Sequence, residues 1–301
     1  MSTRKMHADE LDIDVGLVRR LVAEQFPQWL DRRIARVASA GTDNAIFRLG
    51  DDLAVRMPRR RNSTPQIDKE QRWLPLFAPH LPLAIPAPIA RGEPAHGYPW
   101  RWSVYRWLDG SDGHATATAD SRDTARSLAA FVTALARFDP SDGPIAGPHN
   151  FYRGAPLSLR DDAVRRAIAE SANEIDAGAA MRAWDAALAA PPWRDPPTWL
   201  HGDLAPGNLL FRDGRLVAVL DFGCLGVGDP ACELIVAWNL LSADTRAVYR
   251  AALAPDDATW ARGRGWALSA AVAIPYYRET NPTLAKQAQR TIAAVLSEPD
   301  S

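Results

Sequence analysis

Two short polar clusters carry the residue types that chemistry needs. The first is His201-Gly202-Asp203, with Asn208 five residues beyond the aspartate; the second is Asp221-Phe222-Gly223. Asp221 can supply a carboxylate and Asn208 an amide carbonyl, hard oxygen donors of the kind Mg²⁺ takes beside substrate phosphates. Asp203 is then left to accept a proton from an attacking hydroxyl or to orient it. A metal clamp and a positioned nucleophile are what transfer of a phosphoryl group from a nucleoside triphosphate demands, because the protein has little covalent work to do. Neither cluster is specific alone, since His-Gly-Asp and Asp-Phe-Gly more often mark turns. Their order, the offset of Asn208 and the segment between them make the pattern specific.

That segment must bring the clusters together. Asn208 to Phe211 and Leu216 to Leu220 read as two short strands joined by Arg212-Asp213-Gly214. Asp-Gly between apolar runs is a strong hairpin signal. Upstream, residues 34–39, 45–49 and 53–57 read as a three-stranded meander, in which alternation puts Ala54 and Arg56 on one face and Val55 and Met57 on the other. Helical spacing marks residues 13–26, capped by Asp12 or Asp14, and residues 66–77. A Pro-rich link over 79–94 leads to a strand at Trp102 to Tyr105. From residue 120 the chain is mainly helical: 124–138 capped by Asp120 or Ser121, one or two helices in 158–190, then 231–241, 243–253, 256–277 with Pro275 ending or kinking it, and 282–296.

His201-Gly-Asp203, Asn208, Asp221-Phe-Gly and Gly228-Asp229-Pro230 together resemble the aminoglycoside phosphotransferase family, bacterial small-molecule kinases with a protein-kinase-like fold. Protein kinases usually carry Arg where this chain has Gly202. They also need a long activation segment, for which the helix-like run from Ala231 leaves little room. The likeness is sharp over residues 199–241 and looser over 36–110.

The resemblance implies an α+β, two-lobed fold: a small antiparallel β-sheet N-lobe over 1–105, a mainly helical C-lobe over 106–301, and nucleotide in the cleft between them. It implies that Asp203 is catalytic and that Asn208 and Asp221 hold Mg²⁺. The turn containing Gly41, Thr42 and Asn44 would fold over the phosphates, and Ala54 would leave room for the base. Arg56, in place of the usual Lys, would hold the α/β-phosphates and pair with Glu70, Asp68 being the rival acid. Tyr105 would stand at the gatekeeper position, and the backbone from Arg106 to Leu108 would bind the base. His201 would brace the loop, Gly223 would permit the tight backbone after Asp221, and Asp229 would brace the catalytic loop from behind. Trp238-Asn239 and residues 276–279 could line an acceptor pocket.

The activity so implied moves the terminal phosphoryl group of ATP or GTP to a hydroxyl of a small molecule, an antibiotic of aminoglycoside or macrolide type. The same scaffold serves metabolic kinases of choline, homoserine or sugars. A nucleotide-binding pseudokinase is a third reading: Arg56 favours it, and the intact Asp203, Asn208 and Asp221 oppose it. The length of 301 residues suffices for two lobes with proper cores. A net charge of −1, with Arg59 to Arg61 the one basic cluster, gives no footprint for nucleic acid. Cys224 and Cys232 fit neither a disulfide framework nor a zinc spacing, which points to a reducing cytoplasm. The first residues lack the apolar core of a signal peptide, and no apolar run reaches membrane-spanning length, so no membrane partner is expected.

Overall fold

A computed structural model describes residues 10–37, 43–272 and 281–298. Gly41 and Thr42, Pro275 and residues 276–279 lie outside the described residues. The chain divides into two compact units, one of Met1–His80 with Ala84–Asp109, the other of Leu81–Leu83 with Gly110–Ser301.

In the smaller unit, helix α1 (Val15–Gln25) starts at Asp14, whose carboxylate accepts the Leu17 N–H at 2.7 Å and so satisfies one of the donors a helix start leaves unpaired. Strands β1 (Ile34–Arg36), β2 (Asn44–Leu49) and β3 (Leu53–Pro58) precede helix α2 (Pro65–Phe77), and strands β4 (Pro88–Gly92) and β5 (Trp102–Arg106) follow it. They form one antiparallel sheet in the order β1-β2-β3-β5-β4. The expected three-strand meander is therefore part of a five-stranded sheet, and the expected Pro-rich link contains β4. Its prolines hid it. Pro88 is tolerated because β4 is an edge strand with an irregularity between Pro88 and Ala90. One face of the sheet, with Phe47, Leu53, Val55, Met57, Trp102 and Val104, packs with Val18, Leu21 and Val22 of α1 into the core. Full burial stabilises each such side chain by roughly 1.5–3 kcal/mol. The other face carries Arg56, Ser103 and Tyr105 and meets α2.

The larger unit contains β6 (Ser111–Asp112), α3 (Arg122–Ala136), α4 (Asp161–Glu170), α5 (Ala177–Ala189), β7 (Thr198–Leu200), β8 (Leu209–Arg212), β9 (Arg215–Val219), β10 (Gly226–Gly228), α6 (Val236–Asn239), α7 (Ala243–Leu253), α8 (Asp257–Ala271) and α9 (Pro282–Leu296). Ser121 caps α3 by accepting the Thr124 N–H, whereas Asp120 turns to the start of α7, accepting from the Ser242 N–H and the Thr245 hydroxyl. The helix expected over 231–241 is a 3-10 turn, Pro230–Ile235, followed by the single turn α6. Every residue from Ala231 to Leu241 is buried, so tertiary packing overrides local helix propensity there. Helix α8 supplies that packing. It is buried on nearly all sides, and a side chain at Gly263 would put its Cβ 2.6 Å from that of Leu234. Among the described residues, no helix is long and apolar enough to cross a membrane.

Candidate active site

The hairpin is as its turn sequence requires. Asp213 and Gly214 both have positive φ, 52° and 75°, and Arg212 pairs with Arg215 across a two-residue loop. That is the type I′ turn whose twist matches the strands. At the open end Leu209 pairs with Val219, and the Leu220 N–H donates to the Asn208 carbonyl at 2.7 Å. Asn208 and Asp221 therefore flank the same end of the hairpin. It is Asp221 itself that takes the left-handed conformation, φ 58° and ψ 76°, with its Oδ1 accepting the Gly223 N–H at 3.2 Å. Such a backbone costs an L-residue about 1–2 kcal/mol.

The loop over 201–208 is fixed from beneath. Glu233 Oε2 accepts the His201 N–H at 3.0 Å and Oε1 the Gly202 N–H at 2.6 Å. Burial pushes the Glu233 carboxyl above its ordinary range, against the pull of the His201 and Gly202 N–H groups. Asp229, expected to brace the loop, is instead held by Arg262 of α8, at 2.7 and 3.2 Å. The acid behind the loop is Glu233, four residues further on, because the 3-10 turn carries that side chain under it.

His201 is fully buried. Its Nε2 lies 2.9 Å from the Leu220 carbonyl, and its Nδ1 accepts the Asp203 N–H at 3.1 Å. Those partners select the neutral Nε2–H tautomer and make the ring a strut between the loop and the hairpin, as expected. Gly202 has φ +79°, and a Cβ there would meet the Cys224 carbonyl at 2.9 Å. The Arg usual in protein kinases has no room.

The Asp203 side chain remains 41% exposed. Asn208 Nδ2 donates to the Asp203 carbonyl at 2.9 Å and to its Oδ2 at 3.2 Å. With the amide nitrogen so directed, the Asn208 side-chain oxygen is turned away from Asp203. A carboxylate and an amide oxygen at one hairpin end are a donor set that fits Mg²⁺ and leaves positions for water and phosphate. Oδ1 of Asp203 has a further neighbour: Arg153 Nη2 lies 3.8 Å away.

In the smaller unit Arg56 is buried and pairs with Glu70, while Nη2 donates to Gln66 Oε1 at 3.0 Å. With its amide oxygen toward the guanidinium, Asn44 accepts from Arg56 Nε at 3.1 Å and Nη2 at 2.9 Å. Asn44 is thus the first residue of β2 with its side chain on Arg56, rather than part of a loop over phosphates. Asp68, the rival acid, faces Arg101 and Arg91. The Tyr105 hydroxyl donates to Glu70; burial and then the Glu70 charge hold it well above the usual phenol range, so it stays a donor. Ala54 pairs with Tyr105. Further along, the Arg106 N–H is taken by the Ala87 carbonyl and the Trp107 N–H by that of Asp52, at 2.9 and 2.8 Å. Leu108 is half-buried, one residue beyond those occupied donors.

The sequence reading missed Glu233, Gln66 and Arg153. A signal existed for two of them. Glu233 is the one charged residue in the run from Ala231 to Leu241, and Arg153 the one charged residue between Gly143 and Leu159.

A family model described as the phosphotransferase enzyme family matches residues 34–266. The chain belongs to that family. An aminoglycoside 3'-phosphotransferase of Escherichia coli is 34% identical to this chain over 68 residues, which is 23% of this chain and 25% of the relative. The chain therefore aligns with about a quarter of that relative's length. Likeness of fold extends much further. The aminoglycoside phosphotransferase APH(2")-IIIa, solved with GDP and kanamycin, has a TM-score of 0.71 at 17% identity, over 92% of this chain and 97% of the other. The macrolide 2'-phosphotransferase MphH of Brachybacterium faecium has a TM-score of 0.60 at 25% identity, over 96% and 99%.

Proposed function

We propose that this protein transfers the terminal phosphoryl group of ATP or GTP to a hydroxyl of a small molecule, an antibiotic being the acceptor class that its relatives favour. The observation that carries this reading is the bond from the Leu220 N–H to the Asn208 carbonyl, which sets two oxygen donors at one hairpin end with Asp203 hydrogen-bonded to one of them. Asp203 is the proton acceptor: half-exposed, its backbone fixed by His201 and Asn208, it can meet a hydroxyl without moving. Asn208 and Asp221 would hold Mg²⁺. Bound there, the ion would supply positive charge to the phosphate oxygens. In the smaller unit Arg56, fixed by Glu70, Gln66 and Asn44, is the cation for the phosphates, and the Leu108 N–H is the donor for the base. Cys224 and Cys232 are buried thiols rather than halves of a disulfide, in keeping with a reducing cytoplasm.

The test is to incubate the chain with ATP or GTP, Mg²⁺ and a panel of aminoglycosides, macrolides and primary metabolites, and to look by mass spectrometry for the gain of one phosphate. Asp203→Asn should lose about 10²–10⁴-fold in turnover, the usual share of a general base, while binding nucleotide as before. A variant that keeps most of its turnover would remove Asp203 from the mechanism.

A further inference from the structure

Residues 143–160, GPIAGPHNFYRGAPLSLR, contain no Asp or Glu and carry Arg153 and Arg160. The segment is knotted against the catalytic loop. The Asp229 N–H donates to the Gly154 carbonyl at 2.8 Å, and Asn150, fully buried, links the Gly147 N–H to the Arg153 carbonyl. From this knot Arg153 reaches Asp203, while its Nε and Nη1 are buried without hydrogen-bond partners and the Trp266 ring lies 5.7 Å from its guanidinium carbon. A buried donor left unpaired costs stability; burial works against the Arg153 charge, and its neighbours Cys232 and Asp203 hold it in place.

The two residues before Arg153 are also held against their preferences. Phe151 and Tyr152 have φ of 55° and 59°, a region that bulky L-residues rarely occupy, yet the two residues are 49% and 41% exposed. Ile145 and Leu159 are exposed as well, at 79% and 64%. Strained backbone, exposed aromatics and a half-satisfied cation gathered in a segment that packs on the proton acceptor are marks of a binding surface rather than of a core. The carboxylates behind it are already engaged: Glu233 by two backbone N–H groups and Asp229 by Arg262.

We propose that residues 143–160 form the acceptor subsite, and that it takes a bulky, largely apolar hydroxyl compound rather than a polycation. Phe151 and Tyr152 offer an apolar face. Arg153 sets a positive charge beside the attack point, which repels clustered ammonium groups and selects against them. The subsite rests on the phosphotransferase reading for its role in turnover, but its preference can be measured by binding alone.

The probes are a macrolide antibiotic for the apolar hydroxyl compound and kanamycin for the polycation, each titrated calorimetrically into the full chain without nucleotide. The macrolide should bind at least about tenfold more tightly, a gap of one decade in Kd. Phe151→Asn and Tyr152→Asn suit the left-handed backbone better than the native residues do. They should weaken the macrolide several-fold while leaving Tm unchanged or higher, where a merely structural role would lower it. Arg153→Gln should narrow the preference by tightening kanamycin. Kanamycin binding as well as the macrolide, no macrolide binding, or asparagine variants that bind like the parent would each overturn the proposal. ATP and GTP titrated into the same preparation separate the two ideas. A chain that binds nucleotide but prefers kanamycin refutes the subsite alone. One that shows the predicted preference and binds no nucleotide refutes the phosphotransferase reading and leaves the subsite standing.

Discussion

Arg56 shows what a single side chain is asked to do. A guanidinium presents its donors in a rigid plane, and here that plane is met by Glu70, by Gln66 and by Asn44. A lysine in its place would bring one compact charge that cannot serve all of these acceptors. Arg56→Lys is therefore expected to lower the stability of the chain by about 1–3 kcal/mol, read as a shift in the urea midpoint at constant slope. Glu70→Gln should do comparable harm, and the two together should cost clearly less than their sum, because each removes the other's partner. Strict additivity would show that the pair contributes nothing as a pair. The Tyr105 hydroxyl, which donates to the same carboxylate, makes Glu70 the hub of the cluster and explains why a fully buried acid is tolerated.

Among the elements, the loop over 201–208 and the 3-10 turn beneath it act as one. Glu233 bonds two consecutive N–H groups of the loop from a fully buried position. Burial lifts its carboxyl above the ordinary 4.5. The folded chain thus keeps this proton to a higher pH than the unfolded chain does. Its contribution to stability is full below 4.5 and declines as pH rises through the raised value. Glu233→Gln removes that decline, so the gap between the two proteins should narrow as pH rises across this window. Above it, the variant should remain less stable by about 1–3 kcal/mol, because the amide nitrogen faces an N–H it cannot accept. Urea unfolding followed from below pH 4.5 upward reads this trend; a gap that does not change with pH would show that Glu233 keeps its ordinary titration.

At the scale of the whole molecule, the chain is nearly neutral, and its proposed chemistry is divided between two units. Arg56 and Glu70 belong to one, and Asp203, Asn208 and Asp221 to the other. A ligand that binds only the folded chain stabilises it by mass action, by about 2.7 kcal/mol at one hundred times Kd. Thermal unfolding with ATP or GTP should therefore move upward, and more so with Mg²⁺ than with EDTA. Asp221→Asn should abolish the difference between those two conditions while the chain alone unfolds near the parent temperature. An upward shift that EDTA leaves untouched would remove Asn208 and Asp221 from metal binding.

The sequence by itself determined the local features. Asp213-Gly214 marked the hairpin, alternation put Val55 in the core and Arg56 on the opposite face, and a capping residue stood before α1 and α3, although the choice of Asp14 over Asp12 and of Ser121 over Asp120 belonged to the structure. It also carried the family, because Asp203, Asn208 and Asp221 sit within one short stretch whose own hairpin aligns them. What lay beyond local reach was decided by tertiary structure. β4 is a strand only because a sheet edge forgives its prolines. The run after Asp229 winds as a 3-10 turn because α8 and its neighbours bury every residue from Ala231 to Leu241. Glu233 rather than Asp229 braces the loop, since Arg262, more than thirty residues away, claims the aspartate. Arg153 comes to Asp203 from a segment fifty residues upstream, a distance over which no periodicity or spacing carries information.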